Sequence, residues 1–382
     1  MGEPSQPETQ TTFAVYVGPP LETIRSIVAS QFHVKDAFLD PYGVPTVQIT
    51  AEPVKEKFQT LLRQLTEHRL VAAIRGSGDT LTIKTFQKPQ IRTPRRIINL
   101  VLFLATVATV FGAGYLIWMV FDIAAPEANS YLMGAQFAVG LLAIIGLHEF
   151  GHQAAARHHN LEATLPYFIP GPPPFVPFGT FGALISLKEP PANRDQLFDL
   201  GLSGPLVGFI ITIIVGVVAV AVGLPLDEAQ QDVLRSQVVR FISGWPDVPA
   251  LFILMDRALG FLRPDIGPNT ILYSQFAQAA QIGALLTFLN LIPAWQLDGG
   301  HISRAVFGPE GLRVVTIVGV IALFVTGYYS FAILLLIFMS FSRRGSTGVE
   351  PLDDISPISN SRKILYLLGL VTLGLTFSLS PF

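Results

Sequence analysis

Residues 128–152 read ANSYLMGAQFAVGLLAIIGLHEFGH. Ala128–Leu147 carries no charge over 20 residues, enough to cross the hydrocarbon core of a bilayer as a helix. The run ends in His148-Glu149-Phe150-Gly151-His152. Two imidazoles and a carboxylate are expensive to place in lipid, and ionisable groups there default to function. On a helix, His148 and His152 stand one turn apart on one face, where both reach a single tetrahedral zinc. Glu149 falls beside that metal, placed to take a proton from its bound water.

Working outward, the rest of the chain shares this apolar character. Its 382 residues are 50% hydrophobic and 14% charged, with a mean hydropathy of +0.51. Soluble domains carry about a quarter charged residues. Further uncharged runs lie at Ile97–Phe121, Leu200–Leu226, Ile271–Ala294, Val314–Ser342 and Ile364–Phe382. A polytopic α-helical membrane protein is the expectation. The net charge of −2 leaves no basic footprint for a nucleic acid. With no cysteine, disulfides, thiolate metal sites and cysteine nucleophiles are excluded. The opening MGEPSQPETQ shows neither a signal peptide nor a transit peptide, and Gln6 stands where myristoylation wants Ser or Thr.

Residues 1–94 read differently, as a cytoplasmic α+β accessory domain. Thr12–Val17 and Val44–Thr50 have strand character, whereas Leu21–Phe32 and Pro53–His68 read as amphipathic helices. Leu70–Arg75 and Thr80–Thr85 flank Gly76-Ser77-Gly78-Asp79, a hairpin signal. No catalytic constellation is present there; His33 and His68 stand alone and are expected at the surface.

Basic residues orient the spans. Lys88, Arg92, Arg95 and Arg96 keep the small domain inside, and Asp122 and Glu127 lie outside. Arg157, Lys188 and Arg194 return inside. Keeping Arg343, Arg344, Arg362 and Lys363 inside as well requires Val314–Ser342 to be two short spans turning at Gly327-Tyr328-Tyr329, about seven in all. The core then covers 95–345, and 346–382 is a linker with a last transmembrane helix. One more uncharged stretch, Ala163–Leu187, within a hairpin of 163–188, is not a span. Six prolines between Pro166 and Pro177 remove helical donors. Non-helical backbone at membrane depth survives only in protein or beside a wet cavity. A re-entrant hairpin is expected, with Thr180–Leu187 as an edge strand able to pair with an unwound peptide. Thr180, Phe181, Gly182 and Ala183 are candidate substrate contacts. So is Gly204, among the small residues Gly201, Ser203, Gly204 and Gly208 that let their helix approach a neighbour or the substrate.

A zinc hydrolase needs a third protein ligand and an open position. His158 is the tempting one, ten residues after His148. If the helix continues through Gln153-Ala154-Ala155-Ala156, His158 is carried about 15 Å along the axis and cannot reach the same ion. Asp298 is the better candidate. It closes the otherwise uncharged stretch that ends Asn290-Leu291-Ile292-Pro293-Ala294-Trp295-Gln296-Leu297-Asp298-Gly299-Gly300. Pro293 ends or kinks that fourth span, and Gly299-Gly300 would permit a tight turn swinging Asp298 inward. Asn290, about two turns back, could donate to a developing oxyanion.

HEFGH in one apolar helix and NLIPAWQLDG in a later one resemble the two signatures of the site-2 protease family of intramembrane zinc metalloproteases, HExxH and NxxPxxxxDG. Gly179-Thr180-Phe181-Gly182-Ala183-Leu184-Ile185 and residues 187–194 are similar to the cyanobacterial and plastid branch. Leu200-Gly201-Leu202-Ser203-Gly204-Pro205 resembles its small-residue motif. The resemblance covers roughly 95–345. It implies one zinc per chain on His148, His152 and Asp298, Glu149 activating water, Asn290 supporting the oxyanion, and a transmembrane protein as substrate. A cell membrane is the expected location. The alternative is a non-proteolytic metal-binding membrane protein, either a transporter or a chaperone-like pseudoprotease. The first would want acidic or His residues along a path across the membrane; the second usually lacks the Glu or a His.

Overall fold

The computed structural model describes residues 18–88, 96–121, 129–225, 227, 249–259, 272–341 and 349–378. The chain forms two compact units, one of 1–91 with 192–194 and 351–357, the other of the remainder.

In the first unit the elements are α1 (Leu21–Ala29), β1 (Val34–Leu39), β2 (Pro45–Thr50), α2 (Lys55–Glu67), β3 (Leu70–Ser77) and β4 (Thr80–Gln87). An antiparallel sheet runs β1-β2-β4-β3. Helical spacing explains the core: Ile24 and Val28 of α1, then Phe58, Leu61 and Leu65 of α2, are buried. They meet the alternating Val47 and Ile49 of β2 and Ile83 of β4. β1 was not expected from its sequence VKDAFL, and the expected strand Thr12–Val17 lies outside the described residues. The outer edge of β3 is covered by the later segments. Ile74 pairs in parallel with Asp353, and Asn193 with Asp353.

The second unit is helical, with two small strand pairs among the described residues. It contains α3 (Arg96–Phe121), α4 (Ser130–His158), α5 (from Arg194 to Val222), α6 (Ala250–Leu259), α7 (Gln275–Leu291), α8 (Asp298–Val325), α9 (Tyr329–Phe341) and α10 (Asn360–Thr376). Four of these, α3, α4, α5 and α8, are long and apolar enough to cross a membrane; α9 is shorter. Such helices cannot bury every side chain against one another, and Leu100, Leu104, Val314, Ile317 and Ile321 are exposed. That pattern suits lipid. The run Val314–Ser342 breaks as its sequence suggests, at Gly327 with φ 87° between α8 and α9. α8 breaks too, at Gly308 with φ 74°, and Pro309 opens its second segment, where a missing N–H costs nothing.

The proline-rich stretch is a hairpin. β5 (Tyr167–Pro170) pairs antiparallel with β6 (Thr180–Leu184), with Tyr167 opposite Leu184 and Phe168 opposite Ala183. α3 holds both ends. Asn99 Nδ2 donates to the carbonyls of Leu165 and Pro166 at 3.3 and 2.9 Å, and Thr109 Oγ1 donates to that of Gly179 at 2.6 Å. Gly179 must be glycine: its φ is +75°, and a Cβ would lie 2.4 Å from the Thr109 carbonyl oxygen.

Candidate metal centre

His148 and His152 lie one turn apart on α4 and face Asp298. Their ligand atoms and a carboxylate oxygen of Asp298 all lie within 4.8 Å of one another. His148 Nε2 is 3.3 Å from Asp298 Oδ2, His152 Nε2 is 3.4 Å from Oδ1, and the two Nε2 atoms are 3.0 Å apart. A backbone carbonyl sets the tautomer of one ring: Leu200 O, on α5, is 2.7 Å from His152 Nδ1. A carbonyl only accepts, so Nδ1 carries the proton and Nε2 turns its lone pair to the centre. Two imidazole nitrogens and a carboxylate converging in a buried site fit zinc.

Asp298 arrives by a route that corrects the expectation. It does not close the helix that holds Asn290. α7 stops at Leu291, the chain turns through Trp295 at φ 45°, and Asp298 is the first residue of α8. Gly299 and Gly300 are helical and supply no turn. A Cβ on either would lie 2.1 Å from Leu291 O or 2.2 Å from Trp295 O. They are small because the new helix starts hard against the end of the old one.

Along α5 the small residues pack on the ligands. A Cβ on Gly201 would lie 2.9 Å from Asp298 O, on Gly204 2.1 Å from His152 Nε2, and on Gly208 3.1 Å from His148 Nδ1. Gly204 therefore touches a ligand residue, a closer duty than the substrate contact proposed from sequence. Gly204→Ala is expected to weaken zinc by about 100-fold or more, beyond the usual effect of groups that orient ligands. Gly208→Ala is expected to act more mildly. Zinc titration against a competing chelator checks both, and an unchanged affinity in Gly204→Ala would refute the close packing.

Glu149 is buried beside the ligands, 7% exposed, and the Ile185 N–H just beyond β6 faces its carboxylate. Asn290 Nδ2 lies 3.5 Å from His148 Nε2, so its amide reaches the same centre. On the hairpin, Thr180 is buried and its Oγ1 donates to the Ile169 carbonyl at 2.9 Å, bracing β5. Phe181 is exposed, Gly182 takes φ +101°, and Ala183 is buried opposite Phe168. His158 is exposed and is not in the ligand group. Its neighbour His159, past the end of α4, pairs with Asp199 of α5 at 2.8 Å. Arg362 of α10 joins Asp199 and Asp195 at 2.9 and 3.2 Å. That network was missed, although carboxylates four apart opening an apolar helix were a visible signal.

The model of peptidase family M50 matches residues 136–326, half of the chain, and spans every residue of this centre. The chain is 30% identical over 230 residues to "Probable zinc metalloprotease EGY2, chloroplastic" of Oryza sativa subsp. indica, covering 58% of this chain and 38% of that protein. It is 30% identical over 179 residues to "Probable zinc metalloprotease EGY1, chloroplastic" of Arabidopsis thaliana, covering 46% and 30%. "Probable zinc metallopeptidase EGY3, chloroplastic" of Arabidopsis thaliana is 24% identical over 262 residues, covering 64% and 44%. The chain thus spans less than half the length of these relatives.

Proposed function

Because the chain belongs to peptidase family M50, we propose that it is a zinc-dependent intramembrane endopeptidase, hydrolysing a peptide bond in or near the transmembrane segment of a membrane-protein substrate. The observation that carries this reading is Glu149 buried next to a converging His148, His152 and Asp298. A transporter asks for acidic or His residues along a path across the membrane rather than one carboxylate held beside the ligands. A pseudoprotease has no reason to keep it.

Bound by those three residues, zinc supplies a Lewis acid that acidifies water and polarises a carbonyl. The chain's own groups do the rest. Glu149 takes the water's proton and returns it to the leaving nitrogen, with no net change in its own charge. Asn290 Nδ2 donates to the oxygen that gains charge in the tetrahedral intermediate. Leu200 O holds His152 in the ligating tautomer. A helical substrate hides its scissile carbonyl in i→i−4 bonds and must unwind, and β6 offers the unwound segment a backbone to pair with. We place about seven spans in the membrane: α3, α4, α5, α7, the second segment of α8, α9 and α10. The small domain lies on the Lys/Arg-rich cytoplasmic side of a cell membrane.

Proline tests the strand. Alternate residues send their donors to opposite edges. Ser186 turns its N–H and carbonyl to Thr164 on the first arm of the hairpin, so Leu184, two residues back, directs its N–H toward β5 and Ala183 directs its own to the opposite edge. Ala183→Pro is expected to impair cleavage severely while zinc stays bound, and Leu184→Pro more mildly. Equal indifference to both would require another way to hold the peptide. The reading as a whole is tested by comparing the proteomes of membranes carrying the wild type or Glu149→Gln. Uncut membrane-retained proteins accumulate in the variant; identical proteomes overturn it.

A further inference from the structure

The small domain treats a distant piece of the chain as a ligand. β3 ends the four-stranded sheet, and an open edge is a template for another strand. Here the edge is filled by residues that follow it by more than 270 positions. Ile74 N donates to Leu352 O at 2.9 Å, and on the far side of the segment Asp353 N donates to Ala192 O at 2.8 Å. Arg75 grips the backbone: Nη1 donates to Leu352 O at 2.7 Å and Nη2 to Pro351 O at 3.0 Å. Arg194 grips the next residue, Nη2 to Asp354 O at 2.7 Å and Nε to Asp354 Oδ1 at 3.1 Å.

Two aliphatic side chains three positions apart, Leu352 and Ile355, pack on the domain's hydrophobic core. The segment also carries its own shape. Asp353 Oδ1 accepts from the N–H groups of Ile355 and Ser356 at 3.0 and 2.9 Å, an Asx-type turn made without help from the domain. Backbone pairing at a sheet edge with side-chain anchors beside it is the mode of strand-addition recognition, and Arg194 on Asp354 adds charge recognition to it. A covalently attached segment fills such a site through effective concentration rather than intrinsic tightness.

We propose that the outer edge of β3, with Arg75 and Arg194, is a peptide-docking site that Pro351–Ser356 occupies in cis. Its ligands in trans are extended acidic peptides presenting aliphatic residues three positions apart. This does not rest on the proteolytic reading, and it assigns the small domain a recognition task of its own.

The test uses the full-length protein in detergent micelles and a fluorescent peptide of residues 349–358, VEPLDDISPI. In a Leu352→Ser/Ile355→Ser chain the cis segment lets go, and the peptide is expected to bind at least about tenfold more tightly than to wild type, whose own segment competes. Adding Arg75→Ala to that chain is expected to weaken the peptide about tenfold or more, as the loss of two charge-assisted hydrogen bonds implies. A peptide with lysines for both aspartates is expected not to bind. No binding to the released chain, or binding indifferent to Arg75, overturns the proposal. Should the released chain misfold, hydrogen exchange on wild type decides: excess peptide must deprotect 351–356 while β3 stays protected, and unchanged exchange there overturns the proposal equally.

Discussion

Purified Glu149→Gln is expected to hold a full complement of zinc and to cleave about 10²- to 10⁴-fold more slowly than wild type. The amide has the size and shape of the carboxylate, so the buried place beside His148 and His152 stays filled. It cannot take a proton, however, and the step that makes water nucleophilic loses its base. Zinc is counted by elemental analysis of the same sample whose cleavage is timed. Loss of zinc with activity would make Glu149 a structural support of the ligands. Full activity would remove it from the reaction.

Asp298→Ala is expected to empty the site, since two imidazoles alone leave zinc one protein ligand short of a stable hydrolase centre. His158→Ala is the control. His158 is exposed and outside the ligand group, so zinc and cleavage both persist. Zinc retained in full by Asp298→Ala would refute the ligand assignment. Zinc lost in His158→Ala would make the histidine ten residues after His148 a ligand after all.

The features legible in advance were discrete chemical signals on a monotonous apolar background. Two histidines one turn apart, a single aspartate closing an uncharged stretch, and prolines too dense for a helix each stand out against Leu and Val. Gly327 marked the break in Val314–Ser342 for the same reason. What escaped was carried by groups that leave no side-chain signature. Leu200 acts through its carbonyl oxygen. Gly204 acts through the atom it lacks. β1 lacks the alternation of a half-buried strand. Pro351-Leu352-Asp353-Asp354 reads as a linker, and its strand-like pairing comes from distant neighbours, Ile74 of β3 on one side and Ala192-Asn193 on the other. The start of α8 at Asp298 was hidden because Gly299-Gly300 is the usual mark of a turn. Only the proximity of Leu291 and Trp295 shows it to be a tight helix junction.

Asn99 and Thr109 grip opposite ends of the hairpin from one helix, ten residues and thus about 15 Å apart. A helix of fixed rise is a ruler. The hairpin is thus measured out by α3, an element that supplies none of the three ligand residues. The ligands sit on α4 and α8, and the spacing between Asn99 and Thr109 on α3 fixes the two points at which the hairpin beside them is held.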